Sequence, residues 1–411
     1  MQALRVKKLY DGTMNAPVSD AVVVLDGEKI LDVLTPADAG KLARYNLTAE
    51  DYSQFYMIPG LIDSHVHLDQ CGDGRPYESY DNDFTDGYRQ IIAADNARDA
   101  LRAGVTVLFD CGSCADITLN LRNYINDGRM QGPDIMVCGG AIMQTGGHGC
   151  RDENVADGED GVRLRVRQLA EKGVDFIKVM GTTRGGPKHS RPCYGYTDEE
   201  FRAVFAEAHR LGYQATVHAT FPAIIRRVIE CGVDCVEHCN FFNQAWTKVD
   251  KDKAAADFIR ESGVMVCHTM AANSGFLDRM NHTPKELWTE AGKALYVKEK
   301  ELADRVLESF AFQMEMGIPT ITGTDSGFSY TSFRHGMHDA MERMVLGGLS
   351  NLEVIHASTA RSAKYHRLDQ LLGSVAPGLQ ADLVLLRRDP GEDMSAIREV
   401  AQVIKKGVPV L

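Results

Sequence analysis

The order of hydrophobic and polar residues changes twice along the chain. Short apolar runs at residues 21–25 and 29–33 are separated by Asp-Gly turns, and similar runs return at 381–386 and 400–410. Apolar runs of this length, bounded by turn residues, are typical of strands. We therefore expect the two ends of the chain to pair as one small β-sandwich domain.

Between these ends, short apolar segments alternate with amphipathic helical segments, which is the pattern of repeated β-α units. Helices are predicted over residues 162–172 and after two capping boxes, which begin at Thr197 and Ser350. Eight strands are predicted, at residues 61–68, 105–111, 135–142, 175–180, 215–219, 235–239, 264–269 and 319–325.

Eight such units indicate an α/β fold, a (β/α)8 TIM-like barrel. We assign the barrel to residues 57–368 and the two parts of the β-sandwich domain to residues 1–56 and 369–411. An open doubly wound sheet is the alternative. The Gly-rich phosphate loop that often follows the first strand of such a sheet is missing from this sequence, which counts against it.

Composition narrows the class of protein. The 411 residues are 44% hydrophobic and 25% charged, and the net charge of -12 argues against a nucleic-acid partner. We expect no membrane association, because no apolar run approaches the roughly 18 residues of a membrane span and the first residues lack the apolar core of a signal peptide. The ten cysteines are scattered, which suits reduced thiols in a cytoplasmic protein. Cys111 and Cys114 have the spacing of a redox pair, but buried or loop thiols are the favoured interpretation.

Polar residues stand at the ends of the predicted strands, where a barrel has its active site. His65 and His67 end the first strand, and alternate side chains of a strand share a face, so both imidazoles can bind one metal ion. Later strands carry further polar residues at or near their ends, namely Lys178, His218, His238, His268 and Asp325. Their convergence from separate strands predicts a metal site, with solvated or core side chains as the alternative.

Lys178 is unusual in this set, because an unpaired ammonium in an apolar strand is costly to bury. Burial and nearby metal charge would lower its pKa and leave the amine nucleophilic. Reaction with CO2 would then give a carbamate, an anionic oxygen ligand that can bridge the two ions of a hydrolytic centre. An ordinary salt bridge to Asp325 is the alternative.

Together with their surroundings, these residues resemble the metal-dependent amidohydrolase superfamily. The chain most resembles the branch that contains Xaa-Pro dipeptidases, Lys/Arg carboxypeptidases and imidazolonepropionase-like proteins, and the resemblance covers nearly the whole sequence. It rests on Pro59-Gly-Leu-Ile-Asp-Ser-His-Val-His67, Thr145-Gly-Gly-His-Gly149, Asp175-Phe-Ile-Lys-Val-Met180, His218, His238, Thr324-Asp325 and Gly373-Ser-Val-Ala-Pro-Gly-Leu-Gln-Ala-Asp-Leu383.

The resemblance implies ligands for two divalent metal ions. They are His65, His67 and Asp325 for the more buried ion, His218 and His238 for the other, and Lys178 between them. Lys178 would be carboxylated on its side-chain nitrogen and would bridge the ions together with a hydroxide. Asp325 would act as general base and then as proton donor to the leaving group. Imidazole and oxygen ligands suit zinc, with manganese, iron and cobalt as alternatives.

The resemblance also indicates residues near the substrate. His148, in a Gly-rich loop after the third strand, is a candidate catalytic and substrate-binding residue, with a loop-stabilising hydrogen bond as the alternative. Arg184 is a candidate carboxylate anchor or a solvated charge. Tyr196 either lies beside the substrate or supports the following helix. His268 either binds the substrate or is a core histidine with a satisfied partner.

Two segments depart from the pattern of peptidase-like relatives. Those relatives often carry His-Gly-x-Asn and then Glu-Leu after the eighth strand, whereas this chain has Arg334-His-Gly-Met-His-Asp-Ala-Met-Glu342. They also often place another histidine or a polar aromatic residue after the position of His218, where Ala219-Thr-Phe221 stands here. These departures count against a dipeptidase site of the usual kind and leave the metal chemistry unchanged.

The sequence thus predicts a cytoplasmic binuclear metallohydrolase that cleaves a C–N amide-type bond of a small molecule. A dipeptide or an N-acyl amino acid is the leading substrate class. The alternatives are a non-peptide amide, carbamate or urea, a lactone or other ester, and a non-catalytic binding protein on the same scaffold. The resemblance also implies a homo-oligomer.

Overall fold

The structure is a computed structural model, and it describes residues 1–75, 84–147, 154–183, 193–243, 245–272, 274–328 and 330–410. The chain begins with β1 (Gln2–Leu9), β2 (Val18–Asp26), β3 (Lys29–Leu34), a 3-10 helix at Pro36–Tyr45, and β4 (Glu50–Pro59). Strand β2 pairs antiparallel with β1 and β3, whereas β4 runs parallel to β1. Residues near the start of the chain therefore form one continuous sheet.

The next strands build the barrel. In chain order they are β5 (Leu61–Val66), β6 (Val105–Asp110), β7 (Asp134–Val137), β8 (Ile177–Met180), β11 (Ala215–Ala219), β12 (Cys235–His238), β13 (Met265–Thr269) and β14 (Thr320–Gly323). The short strands β9 (Thr182–Thr183) and β10 (Cys193–Tyr194), between β8 and β11 in the chain, form a separate antiparallel pair. Strands β5 to β7 form one parallel sheet, and β8 with β11 to β14 forms another. Parallel bridges from Val66 to Ser326 and from Ile142 to Val179 join the two sheets into a ring.

Helices follow most of these strands. In chain order they are α1 (Asp86–Arg102), α2 (Ala115–Asn126), α3 (Gly158–Lys172), α4 (Asp198–Arg210), α5 (Pro222–Glu230), α6 (Lys253–Ser262), α7 (Ser274–His282), α8 (Glu290–Glu315), α9 (Gly336–Leu346), α10 (Asn351–Ala357) and α11 (Ala360–Tyr365), with a 3-10 turn at Lys285–Leu287. Both predicted capping boxes are confirmed, since Thr197 pairs with Glu200 at the start of α4 and Ser350 with Glu353 at the start of α10.

The end of the chain returns to the first sheet. Strands β15 (Leu383–Leu386), β16 (Val400–Lys405) and β17 (Val408–Pro409) follow, with a 3-10 helix at Met394–Arg398. Strand β15 pairs antiparallel with β4, which places both chain ends in one seven-stranded sheet. The predicted fold, a TIM-like barrel with a β domain made from both ends, is confirmed.

One predicted strand is too long. The apolar run at 135–142 suggested a strand of eight residues, but β7 ends at Val137. Gly139 and Gly140 follow with φ angles of 70° and 98°, in a region that only glycine enters at low cost, and the ladder stops there. Ile142 then resumes contact with the barrel through its bridge to Val179.

Apolar side chains fill the layer between the barrel strands and the helices. Val217 on β11, Phe205 on α4 and Ile225 on α5 are fully buried in the largest of these clusters. Strand residues whose side chains do not face this layer point to the inside of the ring, which is where the polar strand ends meet. Within the described part of the chain, every helix is too short or too polar to span a bilayer.

Candidate metal centre

His65 and His67 lie at the end of β5 and point the same way, as their spacing predicts. Their ring centroids are 5.4 Å apart. Asp325, just beyond β14, approaches both rings, with its Oδ1 atom 3.5 Å from His65 Nε2 and 3.1 Å from His67 Nε2. One ligand atom from each of the three residues lies within 4.8 Å of the other two, which is close enough for all three to bind one ion.

A second pair of histidines adjoins this group. His218 ends β11 and His238 ends β12, and their ring centroids are 4.4 Å apart. His238 also lies 4.8 Å from the His65 ring. These histidines, Asp325 and Lys178 line one cavity of about 100 Å³. The structure therefore brings together all six residues that the resemblance assigns to the metal ions.

An unusual backbone conformation orients two of these side chains. His238 and Asp325 have φ angles of 67° and 66°, in the left-handed region that residues other than glycine seldom adopt. Regular strand alternation would point Glu237 and His238 to opposite faces. Instead both contact His65, Glu237 through a hydrogen bond and His238 through its ring. Backbone strain of this kind persists where the surroundings hold it, often at functional sites.

Glu237 is a functional residue that the sequence reasoning missed. Its carboxylate accepts a hydrogen bond of 2.7 Å from His65 Nδ1 and another of 2.5 Å from Thr216 Oγ1, and it is buried. Burial alone would raise the pKa of Glu237, but the charge of Lys178 and the hydrogen bond with His65 outweigh burial and hold its pKa well below the usual range. The ionised carboxylate thus directs His65 Nε2 toward the cavity. The sequence does contain a signal for Glu237, because it places a carboxylate inside an apolar strand, directly before a histidine.

His65, His238 and Asp325 are in the forms that bind metals. Burial, followed by the charge of Lys178, lowers the pKa of His65, and burial next to His65 holds the pKa of His238 far below its usual value. Burial raises the pKa of Asp325, but the hydrogen bond with His67 and the nearby imidazoles lower it by more. Neutral imidazoles and an ionised carboxylate are the ligand states required for a divalent ion.

Lys178 lies inside the ring and is only 2% exposed. Its Nζ atom has no hydrogen-bond partner among the described residues. Burial lowers the pKa of Lys178, while the charge of Glu237 and the cysteine thiols nearby raise it by more, so the protein groups alone leave its pKa above the usual value. The described residues place no ion pair on this lysine. A buried nitrogen without a partner, beside imidazole and carboxylate ligands, fits a site that divalent metal would complete.

Other residues complete the cavity wall. Met143, Met180 and Phe328 make part of it apolar. Gln70, three residues after His67, is 1% exposed, and its Nε2 atom has no hydrogen-bond partner within the described ranges. Asn154 lines the same cavity and accepts a hydrogen bond from Arg165. Apart from Met180, which ends β8, these residues follow strands or lie on loops, where the pattern of the sequence carried no signal.

Tyr196 and His268 lie away from the cavity. Tyr196 donates a hydrogen bond of 2.8 Å to the carbonyl of Ala156 and packs edge-on against Phe201, four residues into helix α4. It thus supports the helix, one of the two roles that the sequence left open. Both ring nitrogens of His268 are bonded within the protein, to Thr320 Oγ1 at 2.7 Å and Gln313 Oε1 at 3.1 Å. Burial lowers the pKa of His268 to about 4.

Two further predicted substrate residues, His148 and Arg184, lie outside the described residues.

Known proteins resemble this chain in sequence and fold. Ochratoxinase from Aspergillus niger is 26% identical over 434 aligned residues, which cover 96% of this chain and 84% of that protein. The solved structure of a Xaa-Pro dipeptidase with bound methionine in the active site is 26% identical with a TM-score of 0.81, covering 100% of this chain and 99% of that one. The structure of phenylurea hydrolase B has a TM-score of 0.80 at 20% identity, covering 100% and 97% of the two chains, and shows the fold alone.

The sequence profile of the Amidohydrolase family matches residues 56–410, from the end of β4 to the last strand. That range contains all six residues of the candidate metal centre, and the dipeptidase relative agrees with the predicted branch. The chain therefore belongs to the amidohydrolase family and is a hydrolytic enzyme.

Proposed function

We propose that the protein is a binuclear metal-dependent hydrolase that cleaves a C–N amide-type bond, in a dipeptide or an N-acyl amino acid. One observation carries the proposal, which is the convergence of six buried or half-buried metal-ligand side chains on one cavity. Similarity to a Xaa-Pro dipeptidase supports an amide-type bond as the target. The apolar wall formed by Met143, Met180 and Phe328 favours a substrate with an apolar group next to the reacting carbonyl.

The residues divide into two ligand sets. His65, His67 and Asp325 would hold one ion and His218 with His238 the other, while Lys178 would link them as its carbamate. Two divalent cations supply a hydroxide at neutral pH by lowering the pKa of water, and they polarise the scissile carbonyl.

Asp325 has the position and charge of a general base. Its carboxylate faces the cavity and is ionised, so it can accept a proton from the attacking water. The same oxygen can then return that proton to the leaving amine, which completes hydrolysis without a further acid. Glu237 keeps the His65 ring oriented throughout, because its hydrogen bond lies on the side of the ring away from Asp325.

The first test screens the metal-replete protein for activity and then measures the Asp325→Asn variant on the best substrate. The screen covers N-acyl amino acids, dipeptides, carbamates, ureas and lactones. On the best substrate we expect Asp325→Asn to keep most of its metal, because the amide oxygen can still bind, and to lose about 10²–10⁴-fold in turnover, as expected for a general base. Metal content and kcat are measured together.

Asp116→Asn is the matched control, because Asp116 is an exposed carboxylate on α2 that pairs with Lys172. Undiminished turnover by Asp325→Asn would show that Asp325 is not the general base. Activity confined to the carbamates, ureas or lactones of the screen would contradict the proposed substrate class.

The second test concerns the carbamate on Lys178. We expect Lys178→Ala to lose activity and to regain part of it when acetate or propionate is added, since a short carboxylate can occupy the place of the carbamate. Lys172→Ala, at an exposed lysine on α3, should stay active and respond to neither acid. A crystal of the metal-replete enzyme with an unmodified Lys178 would count against the bridge.

We further propose a reducing compartment, the cytoplasm, on the basis of the cysteines. The eight cysteines whose side chains the structure describes are free thiols, and six of them are buried. Disulfides are rare in such a compartment. The homo-oligomer stays a prediction.

A further inference from the structure

A second cavity opens beside the metal centre. It has a volume of about 110 Å³ and shares His218, His238, Asp325 and Phe328 with the first. Its remaining apolar wall comes from Met270 after β13, from Leu302 and Val306 on helix α8, and from Trp246. A substrate bound with its carbonyl between the two histidine pairs can therefore extend directly into this space.

Arg343 on helix α9 brings a positive charge to the second cavity. Its guanidinium donates a hydrogen bond of 3.0 Å to the carbonyl of Ala303, and its Nε atom has no partner among the described residues. Two carboxylates act on it from a distance, those of Asp339 and Asp304. Both are already bonded elsewhere, Asp339 to Ser274 and Arg398, and Asp304 to Lys300. Arg343 therefore lines the cavity without an ion-pair partner in the described part of the chain.

Thr220 is an independent sign of a missing ligand in the same cavity. It follows β11 and is 1% exposed, yet its hydroxyl has no hydrogen-bond partner within the described ranges. A buried hydroxyl left without a partner destabilises a protein, so such groups are usually paired. The nearby Thr269 hydroxyl is bonded to His238 Nδ1 at 2.7 Å and belongs to the metal centre.

We propose that this second cavity binds the carboxylate-bearing half of the substrate, with Arg343 as the carboxylate anchor and Thr220 as a hydrogen-bond donor to the same group. The inference rests on the proposed function, since it takes the cleaved bond to be the amide that joins this half to an acyl group. A guanidinium pairs with a carboxylate through two parallel hydrogen bonds, which a lysine cannot reproduce. The ligand class is an amino acid with a free carboxylate and an apolar or aromatic side chain, which Met270, Leu302 and Val306 would contact.

The competing explanation is structural. Arg343 joins α9 to α8 through the carbonyl of Ala303, and that bond alone could account for its position. A structural arginine affects all ligands equally, whereas a carboxylate anchor distinguishes an acid from its amide of the same shape. The test must therefore compare the two ligands rather than overall activity.

The experiment uses the full-length, metal-replete protein and its Arg343→Met and Arg343→Lys variants. Binding of 3-phenylpropionate and of 3-phenylpropionamide is measured by calorimetry, and hydrolysis is compared for N-acetyl-L-phenylalanine and its amide. We expect Arg343→Met to weaken binding of the acid by about 10- to 100-fold, as for loss of a charged hydrogen bond, and to leave the amide unchanged. Arg343→Lys should recover part of the loss, because it restores charge without the planar fork.

Arg361→Met is the matched control. Arg361 is a half-buried guanidinium that donates a hydrogen bond of 3.3 Å to the carbonyl of Thr320, at the other end of β14 from the metal centre. It should retain the preference for the acid. Equal weakening of acid and amide by Arg343→Met, or no weakening at all, would overturn the anchor, since the acid would then be held by the metal ions or by the fold.

The two proposals fail separately. If the wild-type protein hydrolyses neither probe but still discriminates acid from amide through Arg343, the anchor stands and the proposed substrate class does not. If it hydrolyses both equally well in every variant, the amide chemistry stands and the anchor does not.

Discussion

Individual residues around the candidate metal centre have different roles, since some face the cavity and others orient them. His65 has one nitrogen toward the cavity and the other bonded to Glu237, which in turn is bonded to Thr216. A carboxylate in that position fixes the tautomer of the histidine and increases its basicity as a ligand. The arrangement buries a negative charge, which the charge of Lys178 and the hydrogen bond with His65 offset.

Glu237→Gln tests this arrangement directly. The amide keeps the shape and one hydrogen bond but loses the charge that strengthens His65 as a ligand. We expect metal affinity to fall by about 10- to 100-fold, in the range found for residues that orient metal ligands. The measurement is competition for zinc against a chelator of known affinity.

Glu230→Gln is the comparison for that measurement. Glu230 is exposed on α5 and pairs with Arg226 four residues earlier, so its charge can be removed without effect on the metal centre. Equal metal affinity for Glu237→Gln and Glu230→Gln would mean that the buried carboxylate serves only the fold.

Single residues also show where the sequence pattern stops being informative. His218 and His238 were predictable, because a histidine at the end of an apolar strand must face the ring or the helices. His268 has the same pattern, yet Thr320 and Gln313 satisfy it deep in the protein. Whether such partners exist depends on segments about 50 residues away. Alternation along one strand does not contain that information.

At the scale of elements, the break after β7 shapes the cavity. The strand ends where two glycines enter the left-handed region, and the chain then turns to Ala141 and Met143, which line the cavity of the candidate metal centre. Gly140 also makes a close approach that only glycine allows. A Cβ atom there would lie 2.3 Å from the side-chain nitrogen of Asn154, which lines the cavity.

Gly140→Ala is therefore expected to have two costs. The backbone cost of placing alanine in the left-handed region is roughly 1–2 kcal/mol, and displacement of Asn154 adds to it. Gly128→Ala isolates the first cost, since Gly128 has a φ of 71° with no atom within 4 Å of the added methyl. We expect Gly140→Ala to unfold at a lower urea concentration than Gly128→Ala. Equal urea midpoints of unfolding for the two variants would show that Asn154 moves aside at no cost in stability.

Elements were the most predictable level of the structure, for a physical reason. An apolar run in a parallel barrel is buried on both faces, so strands such as β11 and β12 stand out from their polar surroundings. Strands β1 and β4 were not singled out, because their buried positions are interrupted by exposed polar ones such as Lys7 and Ser53. The early end of a strand, as at Gly139, depends on backbone angles, and the pattern of hydrophobic residues does not predict those angles.

At the scale of the whole molecule, a buried charge cluster joins the end sheet to the barrel. Lys405 on β16 lies 2.7 Å from Asp134, which begins β7, and 2.7 Å from Asp382. All three side chains are largely buried. Burial raises the pKa of Asp134, but Lys405 and Lys406 lower it by more, so Asp134 is ionised in the folded protein.

Lys405→Met tests how much this cluster contributes. Methionine keeps the length of the side chain but leaves carboxylates buried without their main cation, which destabilises by about 3–5 kcal/mol when one partner of a buried pair is removed. Chemical denaturation measures the free energy of unfolding. Lys172→Met, which breaks an exposed pair with Asp116, should change it far less.

The same cluster predicts how the stability of the protein changes with pH. Because the folded pKa of Asp134 lies below its unfolded value of about 3.9, its contribution is present above that pH and is lost as the pH falls through the folded pKa. We expect the wild-type protein to lose this stability below about pH 4. In Lys405→Met the folded pKa of Asp134 should rise, so this loss of stability in acid should shrink or reverse, and an unchanged profile would mean that Lys406 alone holds Asp134.

Strand β4 has a further consequence for how the protein is made. It carries on through Gly60 into β5, the strand of His65 and His67, and it lies between β1 and β15 in the end sheet. Strand β15 begins only at Leu383, so one edge of β4 is unpaired while the ribosome synthesises the entire barrel. An unpaired strand edge invites pairing with other chains. The strand that carries His65 and His67 is thus anchored on both edges of its base only after the whole barrel has been synthesised.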